Sequence, residues 1–465
     1  MDELQKARAW IDEIDAQLAE LFAQRMEAAS QIAAWKKEHG LPVRDPAREA
    51  EVLAKNEARI ADPALRPWYR GVQEALFAAS REYQTALQAR EEQPAPAPEP
   101  APAPAPQPGA AGGGKKRIIR CDALSPLLTV RTAAGAYNVY LRSGALRRAG
   151  EILPRDGRTF VVTDDGVPAE YARAVAGHAP RAAVYTLPRG EGSKSPAVLT
   201  DLLEAMQTAG LTRGDRVAAV GGGVVGDLAG LAAALYMRGI DWYDFPTTTL
   251  SMVDASVGGK TAVDLGGVKN SVGAFWPPKA VVIDPRVLDT LPPRQFANGL
   301  AEAVKMALTH DPELFARFED PAGCGPIEDV LISCLRVKAS VVEADEREGD
   351  LRRVLNLGHT LGHGLEAAAG GALLHGEAVA LGMIPVCAPE VRARLIPVLR
   401  RLGLPTYVNF ELDPEAVLAA VSHDKKSADG GITLVTVPAV GAFAFRRAGL
   451  PELREMLATI TEEQR

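Results

Sequence analysis

A run of alternating proline and alanine, Pro94 to Pro108 (PAPAPEPAPAPAPQP), followed by Gly112-Gly113-Gly114, divides this chain into two unequal pieces. Proline fixes φ and removes a backbone donor, so this stretch cannot join a sheet or a helix. In the extended form typical of such sequences it spans about 45 Å. The two sides therefore fold as separate units, and their fusion is itself information about function.

The bulk composition describes a globular chain with one tether. Its 465 residues suffice for about three domains, and a hydrophobic content of 47% supplies their cores. The chain begins with the charged segment MDELQKARAWIDEID and contains no long apolar run, so we expect a cytoplasmic protein. Its four cysteines include no CxxC pair, and the net charge of -7 argues against a nucleic-acid surface. We expect small-molecule substrates, no nucleic acid and no membrane as partners.

Residues 1–90 are predicted to form an all-α domain of three helices, followed by a linker at 91–117. Asp45-Pro46 and Asp62-Pro63 each supply an N-cap and a first-turn proline, which start the second and third helices. The first helix is long and amphipathic, and its apolar face would stay exposed in a monomer, so a second copy is expected to cover it. Its apolar positions recur at threes and fours: Leu4, Ile11, Ile14, Leu18, Leu21 and Ile32.

Several polar residues of this region continue the apolar phase of the helices and should face inward: Arg25, Lys36, Ser80 and Gln84. Buried cations are costly without an anionic partner, and two carboxylates cannot neutralise four basic groups. A dianionic ligand would do so; the alternative is that the basic side chains reach solvent and Asp45 merely caps a helix. The groups concerned are the acids Asp45 and Glu49 and the bases Arg8, Arg25, Lys36 and Arg48.

This pattern, with the run VRDPARE, resembles the all-helical class of chorismate mutases. The resemblance implies an intertwined dimer in which Arg8 reaches the neighbouring pocket and Arg25 and other basic groups hold the substrate carboxylates. Lys36 and Gln84 would contact the ether oxygen, and Asp45 and Glu49 the ring hydroxyl. The Claisen rearrangement of chorismate to prephenate needs no cofactor, since selection of a conformer and stabilisation of charge on the ether oxygen are sufficient.

From Ile118 the sequence alternates β-rich runs with helical segments, which predicts a parallel α/β domain over 118–293. The strand Val217 to Val220 leads into Gly221-Gly222-Gly223-Val224-Val225-Gly226-Asp227 and then an apolar helix. Such a turn can cradle a pyrophosphate, although glycine turns also end strands for structural reasons. A second glycine-rich cluster permits close approach to phosphate oxygens; it contains Thr247, Thr248, Asp254, Lys260, Lys269 and Asn270.

After Pro293 helical periodicity dominates, which predicts a mainly helical domain over 294–465 that binds metal and substrate. Three of the seven histidines fall between His359 and His375, downstream of Glu302, and this composition indicates a divalent metal site. Spacing alone favours His359 and His363, one helical turn apart, as the ligand pair. The alternative is a pair of histidines on a helix surface without metal.

The order of these motifs across residues 118–465 resembles 3-dehydroquinate synthase. The resemblance implies a zinc or cobalt ion on Glu302, His359 and His375, with His363 turned toward the substrate. It also implies that NAD acts catalytically. One departure is Gly166, which stands where the family often has asparagine. The implied NAD-binding residues are Asp164, Glu191, Lys194, Gly222, Gly223, Val224, Asp227, Thr247, Thr248, Lys269 and Thr290.

The implied substrate is 3-deoxy-arabino-heptulosonate 7-phosphate, whose two anionic ends need cationic partners. Lys338, Arg352 and Asn356 suit its carboxylate, and Arg238 would reach across a dimer interface. Oxidation of one hydroxyl acidifies the neighbouring proton, phosphate leaves, the hydride returns, and an intramolecular aldol closure gives 3-dehydroquinate. Asp254 also belongs to the catalytic set. The groups that suit the phosphate are Lys260, Asn270, Lys305, His363 and one of Lys425 or Lys426.

Three other interpretations remain open at the level of sequence. Related sugar phosphate cyclases share the fold, metal and NAD but act on heptulose phosphates without a carboxylate. An iron-dependent alcohol dehydrogenase would consume NAD in proportion to product. The N-terminal domain could instead be a sensor of chorismate or prephenate that regulates the synthase.

Overall fold

The computed structural model divides the chain into two compact units, residues 1–117 and 118–465. In the second unit it describes residues 123–424 and 431–461, and in the first residues 46–57 with isolated positions between 25 and 80. Five predicted site residues lie outside the described residues: Arg8, Asp45, Gln84, Lys425 and Lys426. The domain limits at residues 90, 117 and 293 remain predictions.

The first unit contains a helix, α1, that spans Pro46–Glu57 and begins at the proline expected in its first turn. Positions 66, 69, 70, 73, 76, 77 and 80 are helical too. The buried Gln73 side chain joins them to α1, since its Oε1 accepts from Asn56 Nδ2 at 3.1 Å and from Tyr69 Oη at 3.0 Å. This contact fixes the angle between α1 and the segment around residue 73.

A seven-stranded sheet forms the centre of the second unit, in the order β1-β2-β9-β6-β5-β3-β4. Only β1 and β2 pair antiparallel; the other pairs are parallel, as the alternation of strands and helices predicts. The strands are β1 (Leu128–Thr132), β2 (Gly135–Leu141), β3 (Thr159–Asp164), β4 (Ala182–Leu187), β5 (Arg216–Gly221), β6 (Asp241–Pro246) and β9 (Ala280–Ile283).

Three α-helices connect the parallel strands: α2 (Ala169–Ala176), α3 (Pro196–Thr208) and α4 (Gly223–Leu235). Between β6 and β9 the chain forms a short π-helical turn at Ser251–Ala255. It then leaves the sheet as an antiparallel hairpin of β7 (Lys260–Leu265) and β8 (Val268–Phe275).

The remainder is mainly helical, as predicted, but it also contains an antiparallel hairpin of β10 (Ile432–Ala439) and β11 (Ala442–Ala448). The segment ITLVTV, rich in β-branched residues, carries this strand signal. None of the described helices is both long enough and apolar enough to cross a membrane. The helices are α5 (Pro293–His310), α6 (Pro312–Glu319), α7 (Ile327–Ala344), α8 (His359–Ala368), α9 (His375–Val386), α10 (Pro389–Arg401), α11 (Pro414–Asp424) and α12 (Leu450–Thr461).

The two faces of the sheet belong to different cores. Val161 and Ala218 join the large core that continues through Ala301 and Leu381 of the helical part. Their neighbours Val162 and Val217 point the other way, into a smaller core against α3 and α4. This period-2 alternation explains how strands that read as continuous apolar runs are buried on both faces. The shared large core holds the sheet and α5 in a fixed relation.

The backbones of α8 and α9 come very close together. A Cβ atom on Gly382 of α9 would lie 2.0 Å from the carbonyl oxygen of Gly358, and one on Gly362 would lie 3.1 Å from the carbonyl of Ala378. A residue with a Cβ atom cannot fit the first contact and would strain the second, so these glycines set the distance between the two helices. That distance matters because His359 and His375 are the first residues of α8 and α9.

We expect Gly382→Ala to reduce the free energy of unfolding by about 1–3 kcal/mol, because the added methyl group forces two packed backbones apart. Urea denaturation of the full-length protein measures this. The matched control is Gly214→Ala, where an added Cβ meets no atom within 4 Å. Equal unfolding midpoints for the two variants would show that the contact is not tight.

Candidate functional site

Three potential metal ligands from three helices converge in the helical part: Glu302 of α5, His359 of α8 and His375 of α9. One ligand atom from each lies within 4.8 Å of the others. Glu302 Oε1 is 3.5 Å from His359 Nε2 and 3.3 Å from His375 Nε2. The Glu302 side chain is 2% exposed, so the group lies at the bottom of a site rather than on a surface.

Hydrogen bonds hold the His359 ring and the start of α9. His359 Nδ1 lies 3.0 Å from the carbonyl oxygen of Leu357, which places the proton on Nδ1 and leaves the Nε2 lone pair toward Glu302. The backbone N–H of Gly376, next to His375, donates to Asn298 Oδ1 at 2.6 Å. Asn298 lies one turn before Glu302 on α5, so one helix supplies both the ligand and the anchor for its neighbour.

The donor set fits a divalent cation. Neither Glu302 oxygen has a hydrogen-bond partner among the described residues, although the Lys305 ammonium forms an ion pair with Oε2. Burial keeps the pKa of His359 well below its usual value, so this imidazole is neutral, as a ligand must be. Burial also lowers the pKa of His375, but Glu302 and Glu366 outweigh it and raise the pKa to about 9. A bound cation would compete with that proton for Nε2.

His363, which spacing alone pairs with His359, is replaced by His375 in the group that could hold a metal ion. Its ring centroid is nevertheless 5.3 Å from that of His359 and 5.8 Å from that of His375. The i,i+4 rule places two histidines on one helix face but says nothing about a third on another helix. The packing of α8 against α9 decides the choice.

A buried charge cluster adjoins this group. The Asp254 carboxylate, in the π-helical turn, binds Lys305 Nζ at 2.8 Å and also contacts the Lys338 ammonium of α7. Burial raises the pKa of Asp254, but the two lysines outweigh it and hold the pKa well below its usual value. Burial lowers the pKa of Lys338 to about 8. Asp254 raises this pKa, but the charges of Lys305 and Arg352 lower it further. One carboxylate thus serves two ammonium groups.

A second polar cluster forms at the loop before α8, around a residue that sequence reasoning missed. The carboxylate of Glu348 contacts the Lys260 ammonium and accepts from Asn356 Nδ2 at 2.6 Å. Glu348 has a φ of 59°, a conformation that glutamate rarely adopts. The buried guanidinium of Arg352 donates to the backbone carbonyl of Glu346 at 2.5 Å. The only sequence signal for Glu348 is an acidic run, DEREGD, of the kind common on surfaces.

The glycine turn after β5 has the geometry of an anion cradle. Helix α4 begins at Gly223, and its N-cap Gly222 provides no side-chain cap for the first-turn N–H groups. A Cβ on Gly222 would lie 3.0 Å from Thr248 Cγ2, so glycine lets Thr248 approach the turn closely. Thr247 N donates to Gly221 O at 2.8 Å and holds the next loop beside the turn. The predicted residue Val224 lies in the first turn of α4.

Charged residues of the predicted cofactor site surround the buried Lys194 ammonium. It forms an ion pair with Asp227 Oδ2 at 2.7 Å, contacts Asn270 Oδ1, and lies 3.8 Å from Glu191 Oε1. Burial lowers the pKa of Lys194, but Asp227 and Glu191 outweigh it, and the net shift is upward. Asn270, predicted to bind phosphate, thus lies beside a residue predicted to bind NAD.

Asp164 and Thr290 lie at or after the carboxyl ends of β3 and β9, whereas Arg238 precedes β6. Asp164 accepts from the backbone N–H groups of Gly166 at 2.8 Å and Val167 at 3.1 Å, which orders the turn after β3. Thr290 Oγ1 is 2.9 Å from the hydroxyl of Tyr171. Arg238 is exposed and has a φ of 69° in the turn after α4.

In the first unit, Arg25 joins two helical segments. Its Nη1 donates to the carbonyl oxygen of Leu76 at 3.1 Å and contacts the Ser80 hydroxyl. Burial lowers the pKa of Arg25. Lys36 is half-buried on helical backbone, whereas Arg48 is exposed and pairs with Glu51 at 2.7 Å. Glu49 lies on α1, and its side chain is outside the described part of the unit.

Three known families match successive parts of the chain. Residues 7–85 match chorismate mutase type II. Residues 184–298 match the 3-dehydroquinate synthase N-terminal family, and residues 299–427 match the 3-dehydroquinate synthase C-terminal family. A 3-dehydroquinate synthase of Rhodospirillum rubrum is 42% identical, over 68% of this chain and 90% of that protein.

Two solved structures share the fold of the second unit. One is 2-deoxy-scyllo-inosose synthase with carbaglucose-6-phosphate, NAD+ and Co2+, at a TM-score of 0.66 and 27% identity over 71% of this chain and 98% of that one. The other is 2-epi-5-epi-valiolone synthase of Streptomyces hygroscopicus with NAD+ and Zn2+. Its TM-score is 0.63 at 29% identity, over 70% of this chain and 96% of that one.

We expect Asp254→Asn to lower the free energy of unfolding by about 3 kcal/mol at neutral pH, because the buried Lys338 ammonium loses its carboxylate partner and Lys305 keeps only Glu302. Since the pKa of Asp254 is depressed in the folded state, its stabilisation is complete above about pH 4 and is lost as the pH falls toward the folded value. Urea denaturation at pH 7 measures the loss. The exposed Asp201→Asn is the control, and an equal effect of both would contradict the role of Asp254.

Proposed function

The chain belongs to the 3-dehydroquinate synthase family and carries a chorismate mutase type II domain before it, and on this premise we propose how its residues divide two reactions. The protein is a bifunctional enzyme of aromatic biosynthesis. Its second unit converts 3-deoxy-arabino-heptulosonate 7-phosphate to 3-dehydroquinate and phosphate, and its first rearranges chorismate to prephenate.

The observation that supports the synthase roles most strongly is the Glu302, His359 and His375 group, which adjoins the Asp254 cluster through Lys305. We assign these three residues to a zinc or cobalt ion, the metals held by the two similar synthases of known structure. When bound, the metal and NAD supply a Lewis acid for a substrate hydroxyl and a reversible hydride acceptor. The Nε2 atoms of His359 and His375 and the buried Glu302 carboxylate would hold the metal.

NAD is assigned to the edge of the sheet where the strands end at their carboxyl termini. The uncapped first turn of α4 would receive the pyrophosphate, because its N–H groups have no side-chain cap. Lys194 is held at this edge by Asp227, and Asp164 by the turn after β3. The proposed contacts are Asp164, Glu191, Lys194, Gly222, Gly223, Val224, Asp227, Thr247, Thr248, Lys269 and Thr290.

The substrate is assigned to the space between the Asp254 and Glu348 clusters. Lys338, Arg352 and Asn356 would bind the carboxylate, which the other sugar phosphate cyclases do not need to recognise. The Glu348 carboxylate already binds Lys260 and Asn356. An anionic substrate must therefore displace the Glu348 carboxylate from both residues. The proposed phosphate contacts are Lys260, Asn270, Lys305, His363, one of Lys425 or Lys426, and Arg238 from a second subunit.

For the mutase we propose that Arg25 holds a substrate carboxylate. It is already fixed by Leu76 and Ser80, so it would bind with little loss of side-chain freedom. The other proposed pocket residues are Arg8, Lys36, Asp45, Arg48, Glu49, Ser80 and Gln84. We further propose a homodimer or higher oligomer through both domains, located in the cytoplasm.

We expect kcat/KM for 3-dehydroquinate formation to fall about tenfold per pH unit above pH 8. The physical reason is that Lys338, with a pKa of about 8, loses the charge that attracts the substrate carboxylate. In Lys338→Arg the guanidinium stays charged, so this limb should move upward by more than one pH unit whatever the absolute rate. Phosphate release and product formation, with no net consumption of NAD, are measured together.

The control for that profile is Lys279→Arg, a change at an exposed lysine paired with Asp241 at 3.3 Å. It should keep the wild-type limb. If kcat/KM of Lys338→Arg also falls above pH 8, the group that ionises is not Lys338.

We expect Arg25→Ala to lower the rate of chorismate loss by about 100-fold, because the substrate loses a charged hydrogen-bond donor. Prephenate formation is followed on full-length protein, with Arg70→Ala as control, since Arg70 pairs with Glu57 at 2.6 Å on the exposed side. Wild-type protein that binds chorismate but hardly turns it over would instead identify the domain as a sensor. Synthase kinetics unchanged by saturating prephenate would argue against that sensor.

A further inference from the structure

Glu366 joins the metal site to the cofactor site, although neither reaction as assigned above uses it. It lies on α8, seven residues after His359 and therefore on the same helix face, and its side chain is 14% exposed. Glu366 Oε2 is 3.3 Å from His375 Nδ1. Its other oxygen, Oε1, accepts from Lys269 Nζ at 2.7 Å. The two oxygens thus serve two different elements, α9 and β8.

The contact with His375 determines how that imidazole is presented. The ring is held between two carboxylates, with Nε2 facing Glu302 at 3.3 Å and Nδ1 facing Glu366. A carboxylate at Nδ1 holds a proton there, so Nε2 is the nitrogen that can give up its proton and carry the lone pair that a metal ligand requires. His359 achieves the same with the Leu357 carbonyl. Glu366 is the equivalent partner for His375.

The contact with Lys269 continues into the nucleotide region. Lys269 Nζ lies 3.8 Å from Glu191 Oε1, which lies 3.8 Å from Lys194 Nζ. A line of alternating charges therefore runs from His375 through Glu366 and Lys269 toward the glycine turn. Lys269 is 43% exposed, so its ion pair adds little to stability by itself. Its significance lies in what it connects.

We propose that Glu366 is a positioning residue that orients His375 for the metal and anchors Lys269 for NAD, so that the two sites are coupled. The inference rests on the roles proposed above for His375 and Lys269. In this arrangement the position of Lys269, on the hairpin of β7 and β8, depends on the Glu366 carboxylate of α8. A substitution of Glu366 should therefore weaken both metal binding and NAD binding, although Glu366 does not contact the substrate.

The first test measures the affinity of the full-length protein for Zn²⁺ alone, by competition with a chromophoric chelator. Glu366→Gln keeps the size of the side chain but loses its charge, and we expect a 10- to 100-fold weaker affinity. Glu366→Asp keeps the charge and should recover part of it. The control is Glu204→Gln, at an exposed glutamate of α3, and circular dichroism verifies that each variant is folded.

The second test is a double-mutant cycle on NAD affinity at saturating zinc. Lys269→Met should weaken NAD binding about tenfold, the effect of losing about 1.4 kcal/mol. Glu366→Gln should weaken it as well, because Lys269 loses its anchor. The double variant should be no weaker than Lys269→Met, since both changes act through one contact.

Two results would overturn the inference: a zinc affinity of Glu366→Gln within twofold of the wild type, or additive effects on NAD affinity. Glu302→Gln separates this failure from failure of the metal site itself. If Glu302→Gln also binds zinc normally, the proposed ligands are wrong. If only Glu302→Gln loses zinc, the ligands stand and the role of Glu366 is rejected.

Discussion

The buried carboxylate of Glu302 is the constraint around which the second unit is arranged. A carboxylate that is 2% exposed needs polar partners, and three groups face it: the Lys305 ammonium and the imidazoles of His359 and His375. Lys305 in turn binds Asp254, which binds Lys338. The proposed metal ligands and the Asp254 cluster are therefore parts of one electrostatic network. Its two central members, Glu302 and Lys305, both lie on α5.

Close packing of the helices fixes the distances between the members of this network. The first residues of α8 and α9 are both proposed ligands, and glycine contacts such as that of Gly382 against the Gly358 carbonyl fix the distance between the helices. Asn298 fixes the start of α9 through Gly376, and Glu377 pins it further by accepting from Leu374 N and pairing with Arg294. An imidazole orientation needs such support because a small rotation moves Nε2 away from the metal position.

Several elements of the fold and site follow from sequence because their signals are local. Pro46 starts a helix, the glycines after Val220 end a strand and begin α4, and Asp254 and Lys305 belong to long motifs that identify the family. Glu348 and Glu366 escaped prediction because an acidic residue on a loop or helix has no distinctive local pattern. Their partners, Lys260 and Lys269, are 88 and 97 positions away in the chain.

The sequence by itself determined the division at the proline run and the α/β and helical parts, because composition and periodicity carry that information along the chain. It indicated the two reactions through the resemblance of its ordered motifs to two known families. Tertiary structure placed His375, which the resemblance implied, rather than His363, which spacing alone favoured, beside Glu302 and His359. It also decided that Glu348 occupies Lys260 and Asn356, and that Glu366 lies between His375 and Lys269. The physical reason is that ligand geometry and charge pairing depend on distances between elements, and only packing of the shared core sets those distances.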